Sequence, residues 1–325
     1  MKTKGLFLLA AIVLLSLSAR RDKYKMTVYG MQYIEENLCY IPTVSYNIGS
    51  SDEDVPYVTT RPRTVKVDSF YMFRYELTNG MYCYYLHQLQ LAKVDTAQYN
   101  KALPDTLVWR EKLAYNEPYV EYYLRHPAYA DYPLVGVTYE QAVTFCNWLT
   151  TTYNQWTQRK YKQVNFDLPS KEQWMAAAHG GLALSPFPWG GPYMQNYKGE
   201  WLANFRIVDQ GSVYRKPVAE TNVFGKIDTN YYMVAGGTAF IVKRPGDSST
   251  DYADVTTPVY SFYPNDYDIH NMAGNVEEMV KEKGITKGGS WRDTGYYLQI
   301  ETEENYTDST AASDERGFRI MMTIK

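Results

Sequence analysis

His270-Asn271-Met272-Ala273-Gly274-Asn275-Val276-Glu277-Glu278-Met279-Val280, with Gly288-Gly289-Ser290-Trp291 close behind, brings an amide, a glycine and two carboxylates (Asn271, Gly274, Glu277, Glu278) into one short phrase. A turn can fold such a run of oxygen donors around a hard cation such as calcium. A polar surface turn would use the same residue types.

The rest of the chain limits what such a phrase can serve. With 325 residues there is enough for one large domain or two ordinary ones. The formal net charge is −3 and no Lys/Arg block stands out, which argues against nucleic acid as a partner. Tyrosine occurs 33 times, and its apolar ring with a polar tip suits both a loop-rich core and an interface. Lys2 and Lys4 precede an apolar run from Leu6 to Leu15, with small residues at Ser16, Ser18 and Ala19, so residues 1–19 read as a secretory leader and 20–28 as a mobile segment. The run is short for a membrane span. A bacterial lipoprotein would carry Cys where Arg20 stands, so lipid anchoring at that position is not expected. Cys39, Cys83 and Cys146 are odd in number, which leaves at least one free thiol in an oxidising compartment.

Between these limits the pattern alternates short strands and capped helices. Tyr29 to Ser50 is expected to hold short strands and turns, and Val65 to Met72 one strand. Thr78 or Asn79 caps a helix with Tyr82, Tyr85, Leu86 and Leu89 on its apolar face. Thr138 with Gln141, and Ser170 with Gln173, form capping boxes for two more helices, the last ended by Gly180-Gly181. Residues 91–133 read as a long irregular stretch, functional or held by its own aromatics.

The central phrase resembles the Asn-Met-Ala-Gly-Asn-Val-Trp-Glu-Trp signature of the formylglycine-generating-enzyme (sulfatase-modifying factor) family, with Glu277 and Met279 at the two Trp positions. Glu76-Leu77-Thr78-Asn79, Leu168-Pro169 through Trp174, Pro188-Trp189-Gly190-Gly191-Pro192, Leu202-Ala203-Asn204-Phe205 and Gly317-Phe318-Arg319 follow the family's order. The resemblance implies an irregular α+β fold of C-type-lectin-like character, with few short helices and short antiparallel strands. It implies a single domain over 29–325, with a surface insertion around 209–257. It also implies structural calcium, held by Asn271, the Gly274 and Val276 carbonyls and Glu278, and at a second place by Asn204, the Phe205 carbonyl, Asp251 and the Ala253 carbonyl. The family's enzymes hold copper on two cysteines between the Gly-Gly-Ser-Trp and Gly-Phe-Arg phrases, and here the interval Arg292 to Arg316 contains neither Cys nor His. The four histidines are scattered singly, which argues against an iron-binding branch. A catalytic role is therefore not expected, and neither copper nor iron.

Finer phrases narrow the resemblance. Asp105-Thr106-Leu107-Val108-Trp109, Tyr115-Asn116-Glu117-Pro118, His126-Pro127-Ala128-Tyr129, Tyr263 to Tyr267 and Gly289 to Gln299 are similar to the GldK/PorK family of gliding-motility lipoproteins in the type IX secretion system of Bacteroidetes. That resemblance implies a non-catalytic structural part, in periplasmic ring-like homo-oligomers peripheral to the outer membrane, with a GldN/PorN-like partner and other type IX components. Tyr115, Tyr119, Tyr122 and Tyr123 are the candidate interface. The alternative is a calcium-stabilised envelope module that binds a glycan or a protein, favoured if Trp189, Tyr193 and Trp201 form an exposed aromatic cluster. An enzyme with an unrecognised site is the third class.

Overall fold

The computed structural model describes residues 29–48, 63–111, 115–182, 185–207, 255–306 and 311–325, with the backbone of four short strands between 213 and 233. The leader, Arg20, the segment 20–28 and most of the 209–257 insertion lie outside the described residues. Among those described, no helix is long and apolar enough to cross a membrane.

Helix α1 (Met31–Glu36) comes first, where strands and turns were expected. The reason is spacing: Met31 and Ile34, three apart, both face inward. Strands β1 (Leu38–Ile41), β2 (Val44–Ile48), β3 (Arg63–Val67) and β4 (Phe70–Phe73) follow. The single strand expected over 65–72 is thus broken at Asp68-Ser69 into two. Helix α2 (Asn79–Leu91) begins where the Thr78 hydroxyl accepts from the Met81 amide at 3.2 Å. The stretch expected to be irregular holds α3 (Thr96–Ala102), α4 (Glu117–Tyr122) and two short 3₁₀ turns. Both capping boxes close as read, at the starts of α5 (Tyr139–Gln155) and, after β5 (Val164–Asp167), of α6 (Lys171–His179). Gly180 ends α6 with φ of 58°, the left-handed region that glycine enters freely.

Two minor ladders pair β6 (Val213–Tyr214) with β9 (Tyr232–Met233) and β7 (Ala219–Thr221) with β8 (Ile227–Thr229). Then come β10 (Glu277–Met279), β11 (Ile285–Lys287), β12 (Glu303–Asn305), β13 (Arg316–Phe318) and β14 (Met321–Ile324). One four-stranded sheet has the order β1-β4-β14-β5, all antiparallel; the other has the order β12-β11-β10-β13, parallel between β10 and β13. The fold is mixed α+β, with few helices and short, mainly antiparallel strands.

Strand β14 shows why the first sheet is buried on both faces. Successive strand residues point to opposite sides. Met322 joins Phe145, Tyr153 and Phe166 under α5, and Met321 joins Trp174, Ala177 and Met72 under α6. Only Arg319 and Ile320 separate β13 in one sheet from β14 in the other. The joint between the sheets therefore carries an arginine.

Candidate functional site

Arg319 is fully buried and uses its guanidinium as a five-point tie. Its Nε and Nη2 donate to Glu278 Oε1 at 3.0 and 2.6 Å, its Nη1 to the Phe73 and Arg74 carbonyls at 3.1 and 2.8 Å, and its Nη2 to the His270 carbonyl at 2.8 Å. Glu278 also accepts from Trp174 Nε1 at 2.7 Å. A planar fork matched to a carboxylate is what arginine supplies and lysine does not. The tie thus joins β10, the end of β4 and α6 at the seam of the two sheets.

A second buried carboxylate lies beside it. Glu76 accepts from Asn271 Nδ2 at 2.9 Å and from Asn275 Nδ2 at 2.9 Å. Burial is the largest influence on Glu76 and, with the nearby Glu278 carboxylate, pushes its pKa up to about 8, against the pull of Arg319. Asn275 Oδ1 in turn accepts from Asn204 Nδ2 at 3.2 Å and the Thr257 amide at 2.8 Å. The backbone of this phrase is unusual: Asn271, Gly274 and Asn275 have φ of 51°, 75° and 68°. A Cβ on Gly274 would lie 2.4 Å from the Asn204 carbonyl oxygen, so the two chain segments can approach only at a glycine.

The residues expected to hold calcium divide between fitting and not fitting. Glu278 has both oxygens engaged by Arg319 and Trp174, so a cation at Asn271 would have to displace the arginine. Val276 is buried against Gly317, and Gly274 packs on Asn204. Asn271 Oδ1 and Asn204 Oδ1 are buried without a donor. Uncommitted acceptors of that kind suit a cation. At Asn271 the companion carboxylate is committed to Arg319, whereas at Asn204 the described side chain keeps its Oδ1 uncommitted. Asp251 and Ala253, the other members of the second set, lie outside the described residues.

The aromatic phrases converge elsewhere. Trp109 is buried, with ring centroids 4.6 Å from Tyr123, 5.3 Å from Tyr119 and 6.3 Å from Trp291. This corrects part of the expected interface. Tyr123 is 2 % exposed, donates to the Pro133 carbonyl at 2.7 Å and pairs with Thr256 Oγ1, so it belongs to the core. Tyr119 is half-buried against Trp109; Tyr115 and Tyr122, at 94 % and 50 % exposed, face solvent. Trp201 turns edge-on to Phe205 within a small core cluster, while Tyr193 is exposed.

In the interval that holds the copper ligands in the family's enzymes, the described residues include ion pairs and buried apolar side chains. Arg292 lies over the Trp291 ring and pairs with Glu111, with Asp314 at 2.6 Å and with Glu315 at 3.4 Å. Asp293 accepts from the Ser290 amide and hydroxyl at 2.7 and 2.6 Å, and Leu298 and Ile300 are fully buried. Burial, then neighbouring carboxylates, push Glu304 and Glu315 up to about 7.

The family model of the sulfatase-modifying factor enzyme 1-like domain matches residues 32–232 and 228–324. The chain belongs to this family. Among curated relatives, the sulfatase-modifying factor domain here is 24 % identical over 203 residues to the inactive C-alpha-formylglycine-generating enzyme 2 of Bos taurus, covering 58 % of this chain and 50 % of that protein. It is 22 % identical to the formylglycine-generating enzyme of Bos taurus, over 86 % of this chain and 72 % of that one. The chain therefore spans about half the length of the inactive relative. Solved structures with the same fold include PvdO from Pseudomonas aeruginosa (TM-score 0.54, 18 % identity, 88 % of this chain and 94 % of that one) and Treponema denticola variable protein 1 (TM-score 0.52, 15 % identity, 87 % and 94 %). The family contains both active and inactive members, so membership alone does not decide catalysis.

Sequence reading passed over Glu76, Asn275 and Arg319 as site residues, although each stood inside a quoted phrase. The signal was available in Arg319: a charge inside the otherwise apolar run from Gly317 to Met322, where burial demands a partner.

Proposed function

We propose that this sulfatase-modifying factor domain is a non-catalytic structural component of a type IX secretion and gliding apparatus of the GldK/PorK kind, at the periplasmic side of the outer membrane. One observation carries the reading. The Asp105–Trp109, His126–Tyr129 and Gly289–Gln299 phrases, on which that resemblance rests in part, meet at Trp109 and Trp291 in one aromatic cluster, and Tyr119, just after the Tyr115–Pro118 phrase, packs on Trp109. Such a module is a building element, and it stands beside an interval with no thiol to hold Cu(I). The three cysteines are distributed over β1, α2 and α5, each free.

Tyr115 and Tyr122, before and at the end of α4, are exposed and are the docking candidates for a GldN/PorN-like partner. Calcium at Asn204 would tie the central phrase to the preceding loop and add stability by binding only the folded state. Its removal by chelator should lower the melting temperature. No change on chelation, with no calcium in the purified protein, would remove calcium from the proposal.

The deciding experiment is crosslinking in intact cells, affinity purification and mass spectrometry of what accompanies the protein. Recovery of a GldN/PorN-like protein in large assemblies supports the scaffold. Recovery of the protein alone, or with surface-glycan machinery, overturns it. Stoichiometric copper in protein purified without chelators would reopen the enzyme class.

A further inference from the structure

The turn between α5 and β5 carries the run Arg159-Lys160-Tyr161-Lys162, which places three basic residues in four on a chain whose net charge is −3. We propose that this turn, with the tyrosines and Ile324 beside it, is the surface by which the folded chain docks on an anionic phospholipid membrane. The inference deepens the envelope reading given above, and rests on it only for which membrane is met.

Local bonds hold the positive charge outward. Arg159 is spent inside the turn: its Nη1 donates to the Trp156 carbonyl at 2.7 Å and its Nε to the Lys162 carbonyl at 3.0 Å. Glu35 of α1 lies under the turn, where its Oε1 accepts from the Lys160 amide at 2.6 Å and from the Tyr153 hydroxyl. That carboxylate offsets one of the three charges. Lys160 and Lys162 are exposed and, among the described residues, pair with no carboxylate, whereas Lys171, Lys281 and Lys283 each have one. The turn therefore presents an excess of positive charge that the protein itself does not neutralise.

An apolar row stands beside these lysines. Tyr40, Tyr71 and Met322 face one another across β1, β4 and β14. The Tyr40 and Tyr71 rings are 5.3 Å apart, and so are those of Tyr71 and Tyr161, while Lys160 Nζ lies 5.2 Å from the centre of the Tyr161 ring. The row ends in the open. Tyr40, on the terminal strand of its sheet, is 55 % exposed, and Ile324, two residues beyond Met322 and so on the same face, is 51 % exposed. Phenol rings at headgroup level with ammonium groups reaching phosphates are the arrangement that side chains adopt at a lipid interface.

The same details argue against a single small anion. A guanidinium fork would fix one carboxylate or phosphate in a set geometry, and Arg159 has given its fork to carbonyls. What remains is a pair of ammonium groups on flexible stems, which act as point charges. Point charges beside an exposed apolar row suit many phosphates spread over a lipid surface.

The test is flotation of the natively processed protein with vesicles of phosphatidylcholine, with and without phosphatidylglycerol, at low and at high salt. Binding is expected to the phosphatidylglycerol vesicles at low salt, with release at high salt, because exposed charges are screened. The pair Lys160→Gln, Lys162→Gln should lose about tenfold or more in affinity, since each lysine near an anionic surface is worth about fivefold. Tyr40→Ser should weaken binding as well. The pair Lys93→Gln, Lys101→Gln, exposed around α3, removes the same charge elsewhere and should bind as the wild type does. All four lysines are exposed, and melting temperatures check that the variants fold. The proposal is overturned by any of four results: no binding to phosphatidylglycerol vesicles, equal binding without that lipid, wild-type affinity in the Lys160, Lys162 pair or in Tyr40→Ser, or retention on polyglutamate with no vesicle binding, which would mark an acidic protein as the partner. Vesicle binding and partner recovery are separate readouts, so failure here leaves the scaffold standing, and a failed co-purification leaves the lipid surface standing.

Discussion

Replacing Arg319 by Met keeps most of the side-chain length and removes the guanidinium at the seam between the sheets. Glu278 is then a carboxylate 1 % exposed, with Trp174 Nε1 as its remaining donor among the described residues, and three carbonyls, of Phe73, Arg74 and His270, lose a donor. Breaking a buried pair by removing one partner costs about 3–5 kcal/mol. Stranded carbonyls push toward the upper end, and protonation of Glu278 would relieve part of the cost. Against a total stability of about 5–15 kcal/mol, the variant should sit close to unfolding at neutral pH. Guanidinium unfolding followed by tryptophan fluorescence measures it, since Trp174 lies in the site. The double variant Arg319→Met, Glu278→Leu should recover at least half of the loss, because two apolar groups need no partner. An Arg319→Met midpoint corresponding to a loss under about 1 kcal/mol would refute the argument that this tie holds the sheets together.

Other consequences follow from the same geometry. Glu76 has its folded pKa raised to about 8 from an ordinary carboxyl value near 4.5, so the folded state binds the extra proton and stability falls as pH rises from about 4.5 to 8; Glu76→Gln should flatten the melting-temperature profile over that window. Lys287, lowered to about 7 chiefly by burial, acts in the opposite sense above pH 7, where the unfolded state alone stays protonated, and Lys287→Met should lose that rise. Gly274→Ala adds a Cβ 2.4 Å from the Asn204 carbonyl at a positive φ, and should destabilise by about 2 kcal/mol or more in chemical denaturation. Tyr123→Ala should cost about 3–5 kcal/mol, as an emptied aromatic site in a core does, while Tyr115→Ala leaves the melting temperature unchanged and weakens recovery of the partner in crosslinking.

Local chemistry was legible in the sequence, and long-range pairing was not. The Thr138–Gln141 and Ser170–Gln173 boxes could be read because both partners lie three residues apart. Helix α1 was misread because a six-residue helix offers barely one repeat of its period, and Tyr33 and Ile34 favour strands as well. The placement of β14 between β4 and β5 depends on contacts across the whole chain. The site suffered from the same limit: Glu76 and Asn275 are separated by 199 residues, and no spacing rule joins them. Tyr122 and Tyr123 show the limit for interfaces. They are neighbours of the same type, yet one is 50 % exposed and the other 2 %, because adjacent positions around a helical turn face different ways.

The two halves of the site carry different weight in the functional argument. The Arg319–Glu278 tie and the Glu76–Asn271–Asn275 amide web bind segments from both sheets, and a fold with short strands needs such ties whatever its task. Their presence supports the family and says nothing of chemistry. The interval between Trp291 and Arg316 is where an enzyme and a scaffold should differ. An active thiol pair needs low-pKa sulfur and open approach. Here Leu298 and Ile300 are fully buried and Arg292 is held between an indole and three carboxylates, which rigidify the loop and give no soft ligand. Burial also pushes the Cys39, Cys83 and Cys146 thiols up, away from reactivity. Those observations accord with the proposed scaffold role, for which the exposed Tyr115 and Tyr122 are the candidate surface to test.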